Sequence, residues 1–79
     1  MKIHVTYFAV LREQRGLSEE VLDTLCKTPE ALYEHLRGVH NFSLDRKWVK
    51  VAVNDEFAPM DGILFAGDRV VFIPPVAGG

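Results

Sequence analysis

The sequence predicts an α+β fold, a mixed sheet packed around one main helix with a flexible C-terminal Gly-Gly tail. Three observations carry this. Lys2 to Phe8 and Trp48 to Val53 alternate with a period of two, the mark of strands with one buried face. Thr28-Pro29-Glu30 opens a stretch whose apolar residues recur at helical spacing. Arg69-Val70-Val71-Phe72-Ile73 is apolar on both faces, which suits a strand in the middle of a sheet. By themselves the elements leave more than one small α+β topology open.

In the first strand Ile3, Val5 and Tyr7 share the core face, and His4, Thr6 and Phe8 the other. Ala9 to Arg15 are good helix formers, and Gly16 can take the left-handed conformation that stops a short helix. Leu17 to Leu25 mixes Val, Leu and Thr with acidic residues, as an edge strand does when its charges discourage pairing with strangers. Cys26 reads as a small buried apolar group, since no His or second Cys stands at ligand or dyad spacing. In the main helix Thr28 caps, Pro29 suits the first position and Glu30 complements the dipole. Leu32, Leu36 and Val39 form the stripe that packs on the sheet, while Glu30, Glu34 and Arg37 face water. His35 and His40 stand at a spacing that does not share a helical face, which argues against a metal site.

Asn41 to Lys47 is a polar loop pinned by Phe42 and Leu44. Val49, Val51 and Val53 point inward from the strand that begins at Trp48, and Asn54-Asp55-Glu56 makes the turn after it. Phe57 to Leu64 gives a short strand and an irregular crossing, after which Gly67-Asp68 turns the chain into its last strand. One helix covers only one face of that strand, so Phe8, Val71 and Ile73 are expected to form an exposed apolar patch on the other. The alternative is that the loop Phe57–Phe65 folds over them.

Seventy-nine residues make a single domain, and a chain this small buries only about 60 to 65% of its unfolded surface, which leaves little room for an enclosed active site. The net charge of −2 and pI near 5.8 disfavour nucleic acid. The absence of a charged leader and of a membrane-length apolar run leads us to expect no membrane, and the lone Cys26 forms no internal disulfide; together these fit a cytoplasmic location. No nucleophile–base pair, phosphate loop or carboxylate dyad is evident.

The ending is the most informative stretch. Pro74 and Pro75 lack N–H groups, end the strand and hold a polyproline-like direction, so residues 76–79 are expected to project as a tail from a domain of residues 1–75. Four extended residues, Val76 to Gly79, span about 13 to 14 Å, enough to carry the Gly79 carboxylate into a partner's active site. Gly78 and Gly79 set no Cβ beside it, so the tail can thread a narrow channel and offer an unhindered acyl carbon.

Pro74-Pro75-Val76-Ala77-Gly78-Gly79, together with Asn54, the Gly67-Asp68 turn, the strand Arg69 to Ile73 and the N-terminal Tyr7-Phe8-Ala9-Val10-Leu11-Arg12-Glu13, resembles the ubiquitin-like sulfur-carrier family along the whole chain. Within that family it looks most like the small subunits of molybdopterin synthase. Arg69 departs from the pattern, standing where the family often has an acidic residue. The resemblance implies a ubiquitin-like β-grasp fold and a non-catalytic cosubstrate. Gly79 would be adenylated with ATP by an adenylyltransferase similar to ubiquitin-activating enzymes and then converted to a thiocarboxylate. Its sulfur would pass to cyclic pyranopterin monophosphate in the active site of the large synthase subunit, within a heterotetramer. Phe8, Val71, Ile73, Pro74, Pro75, Val76 and Ala77 would line the partner interface, and this chain itself would bind no cofactor. Two rival readings share the tail: a carrier for thiazole formation, tRNA thiolation or cysteine synthesis, and a ubiquitin-like modifier whose Gly79 ends in isopeptide bonds to lysines.

Overall fold

A computed structural model describes residues 1–75. The chain runs β1 (Lys2–Tyr7), α1 (Ala9–Arg15), β2 (Glu19–Asp23), α2 (Pro29–His40), a 3-10 turn (Arg46–Trp48), β3 (Lys50–Val53), β4 (Glu56–Ala58) and β5 (Arg69–Ile73). The strands form one sheet in the order β2-β1-β5-β3-β4. β1 and β5 pair in parallel, and every other neighbouring pair is antiparallel. This is the ubiquitin-like β-grasp that the resemblance implied, with β5 in the middle as its two apolar faces required. The expected tail, residues 76–79, and the domain boundary before it lie outside the described residues.

The core takes Ile3, Val5 and Tyr7 from β1, Val51 from β3, and Val70 and Phe72 from β5, packed against Leu32, Tyr33 and Leu36 of α2. Phe42 joins from the loop, stacked on Tyr33 at 5.9 Å between centroids and edge-on to Tyr7 at 6.0 Å. The helix ends follow the sequence signals. The Thr28 side chain accepts from the Ala31 N–H, Pro29 takes the first turn, and Gly16 closes α1 at φ 83°.

Three local expectations shift. Val39 is 58% exposed, whereas Tyr33 is fully buried. At 100° per residue Pro29, Leu32, Tyr33, Leu36 and His40 bracket one face, and Val39 falls roughly 75° from its centre, where Phe42 fills the core instead. Trp48 is not in the strand: the Asp45 carboxylate accepts from the Lys47 N–H at 3.0 Å and caps a 3-10 turn, so β3 starts at Lys50. Cys26 is half-buried at the edge of the core rather than enclosed by it.

One ionic element was not legible in the sequence. Arg15 holds Glu20 through two donors, at 2.7 and 2.8 Å, and the Tyr7 hydroxyl donates to the same carboxylate at 2.7 Å. This ties the end of α1 to β2 and to the core face of β1. The Arg15 guanidinium holds the Glu20 carboxyl below its ordinary range, while burial and the facing carboxylate push the Tyr7 phenol up. A carboxyl whose pKa is lower when folded adds stability that is complete above its unfolded value and is lost as pH falls through the folded one. Glu20→Gln should therefore cost about 1 to 2 kcal/mol at neutral pH by chemical denaturation. Its gap from wild type should narrow as pH falls below 4.5, the ordinary value for this group.

Candidate docking face at the root of the tail

The register of the central strands builds the candidate site. Thr6 lies opposite Val71, Val71 opposite Ala52, and Ala52 opposite Phe57, so these four residues form a row across the sheet. Tyr7 pairs with Phe72, which sets Phe8 beside Ile73, and Ile73 pairs with Lys50 in the next row. Side chains alternate across a sheet, so with Tyr7, Val70 and Phe72 buried toward α2 these rows belong to the outer face. Phe8 is 47% and Phe57 78% exposed, and Val71 and Ile73 are half-buried.

Phe8, Val71 and Ile73 thus share a face, as the alternation led one to expect. The loop after β4 does not cover them. The Glu30 N–H donates to the Met60 carbonyl and the Leu64 N–H to the Lys27 carbonyl, both at 2.8 Å, and these bonds draw the loop to the helix side, where Leu64 is buried. Phe57 extends the patch, and sequence reasoning passed over it. The signal was available: Asn54 and Asp55, both at positive φ, form a two-residue hairpin turn, which fixes Phe57 opposite Ala52.

The turns below this face are held by one asparagine. Asn54 donates to the Asp68 carboxylate and accepts from the Arg69 N–H, each at 3.0 Å, while Asp68 also accepts from the Phe65 N–H at 2.8 Å. The β3–β4 turn is thereby locked to the turn that starts β5. Arg69, the departure from the family pattern, reaches the exposed Asp55 at 2.8 Å. At the other end of β5, Pro74 is buried and Pro75 exposed. Val76, Ala77, Gly78 and Gly79 lie outside the described residues.

The chemistry available near the root is sparse. Among the described residues no group of three or more His, Cys, Asp or Glu could hold a metal ion, and no buried polar side-chain atom lacks a hydrogen bond. Nor is any helix among them long and apolar enough to cross a membrane. What the face offers is an apolar strip with exposed cations nearby: Lys50 beside Ile73, and Lys47 with its Nζ 5.5 Å from the Trp48 ring centre. Arg12 lies exposed on α1.

The sequence matches the model of the ThiS family over residues 5–79. The chain belongs to the ThiS family. Within reach of this ThiS-family chain are the molybdopterin synthase sulfur carrier subunits of Escherichia coli (strain K12), 34% identical, and of Haemophilus influenzae, 32% identical; each alignment runs over 80 residues, 98% of this chain and 99% of the relative. Among solved structures, the small archaeal modifier protein SAMP1 of Haloferax volcanii superposes with a TM-score of 0.77 at 26% identity, covering all of both chains.

Phe57 is the most exposed residue of the strip, so its apolar character does not serve folding. Phe57→Asp should change the stability of the ThiS-family domain by no more than about 0.5 kcal/mol. Phe72→Ala, one strand face away in the core, should cost about 3 to 5 kcal/mol. Denaturant melts of the two variants check this contrast.

Proposed function

We propose that this chain is a sulfur carrier of molybdenum cofactor biosynthesis, acting as the small subunit of molybdopterin synthase. The observation that carries the reading is the end-to-end match, at 32 and 34% identity, to two molybdopterin synthase sulfur carrier subunits over 99% of their own length. A domain with an apolar docking strip suits a cosubstrate that partners act upon.

On this reading an adenylyltransferase transfers AMP from ATP to the Gly79 carboxylate, releasing pyrophosphate and making the carboxylate oxygen a good leaving group. Sulfide sulfur from a donor then displaces AMP to leave the Gly79 thiocarboxylate. The thiocarboxylate is a sulfur nucleophile tethered to a domain that recognises its acceptor enzyme, and tethering raises its effective concentration there. The large synthase subunit receives the tail and incorporates the sulfur into cyclic pyranopterin monophosphate, in a heterotetramer of two small and two large subunits. The strip of Phe8, Val71 and Ile73, followed by Pro74 and Pro75, supplies the docking affinity.

The likeness to SAMP1 favours a second reading, a ubiquitin-like modifier joined through Gly79 to lysines. Intact mass separates the two. Co-expressed with its activating enzyme and a sulfur source, the chain should gain the mass of one oxygen replaced by sulfur, and a chain lacking Gly79 should not. No gain from an enzyme that loads its own carrier overturns the sulfur reading, and ladders of lysine conjugates on a denaturing gel would establish the modifier.

The docking role has its own test. Phe8→Asp should leave the fold intact and prevent co-purification with the large synthase subunit, since a buried carboxylate at an apolar contact costs several kcal/mol. Normal assembly of that variant would remove Phe8 from the interface.

A further inference from the structure

β4 stops at Ala58 because Pro59 has no N–H to continue the ladder, and the chain then crosses to α2, where Met60 accepts from the Glu30 N–H. Among the described residues no strand pairs with the early part of β3 on that side. A cleft of about 730 Å³ opens there, on the side of β3 away from β5. Arg46, Lys47 and Lys50 stand around it against one carboxylate, that of Glu30. None of these three cations makes an ion pair among the described residues. Val49, Phe57 and Met60 give the cleft apolar surface.

We infer that this cleft is a docking site for an extended acidic segment of a partner protein that carries an apolar anchor side chain. The charge balance selects the partner's sign, three cations to one carboxylate on a chain whose net charge is −2. Exposed ion pairs are worth only about 0.2 to 1 kcal/mol each, so the cations orient the segment and speed its capture. Affinity comes from the anchor side chain against Phe57 and Met60. A nucleic acid fits poorly, because its binding draws mainly on phosphate neutralisation and the cleft sets only three cations beside a carboxylate and apolar surface. Phe57 belongs to both the cleft and the outer strip, so a partner seated on the strip can continue around the sheet edge into the cleft. The inference stands apart from the chemistry of Gly79.

The test is an NMR titration of the isotope-labelled full chain with a synthetic peptide of alternating aspartate and leucine, at low salt. Amide shifts should be confined to residues 46–51 and 57–60. The dissociation constant should rise at least about tenfold in the double variant Arg46→Glu/Lys50→Glu, whose spectrum otherwise stays that of the folded chain, and should rise with salt in wild type. Phe57→Ser should weaken binding while leaving its salt dependence. Absence of shifts, shifts centred on Thr6, Val71 and Ile73, or equal binding by the charge-reversed variant would each overturn the inference. So would the same shifts from a lysine–leucine peptide or a single-stranded oligonucleotide, from concentrating the free protein, or from deleting residues 76–79. These last two would assign the cleft to a second copy or to the chain's own terminus.

Discussion

The parallel pairing of β1 with β5 is the constraint on which the rest of the structure depends. It joins the two ends of the described sequence in the middle of the sheet, so every other element is placed relative to it. With β1 on one side and β3 on the other, β5 sends Val70 and Phe72 to the helix and Val71 and Ile73 to the outer face. A slip of one residue would drive Phe72 out and Val71 in, which fixes the register firmly. The same register sets Phe8 next to Ile73 at the end where Pro74 and Pro75 follow. The apolar strip and the root of the tail are neighbours by strand pairing, and no loop has to hold them together.

Much of this was written in period-two and capping signals. Ile3, Val5 and Tyr7 inward, the Thr28-Pro29 helix start, the Gly16 stop and the central place of β5 all follow from local chemistry that the tertiary structure has no reason to override. Of the candidate site, Phe8, Val71 and Ile73 could be grouped because alternation puts Phe8 opposite the core face of β1 and a single main helix covers only one face of β5. The misses have a common cause, the competition between local motifs and partners distant in sequence. Val39 looked like core until Phe42, beyond the helix, took its place against Tyr33 and Tyr7. Trp48 looked like strand until the Asp45 cap bent the chain. The Arg15–Glu20–Tyr7 cluster joins three elements, and nothing in the spacing of those residues announces that they meet. The cleft beside β3 was equally silent, since nothing in the spacing of Arg46, Lys47 and Lys50 announces that they surround one cavity.

Division of labour between sheet and tail follows from energetics on the proposed function. On that proposal a terminus loaded in one active site and unloaded in another would have to be recognised in both. Gly78 and Gly79 offer few contacts for this, because glycine has no side chain to bury. Recognition would therefore fall to the docking face. Val71 and Ile73 sit on a strand whose opposite face is buried in the core, so they are presented already ordered, and little further entropy is lost when they are covered. Release has to remain possible as well. Two half-buried aliphatic side chains with Phe8 and Phe57 beside them make a small contact, and small contacts belong to transient partners. A sulfur carrier of the proposed kind would keep its reactive terminus free of bulk and leave recognition to the strands behind it.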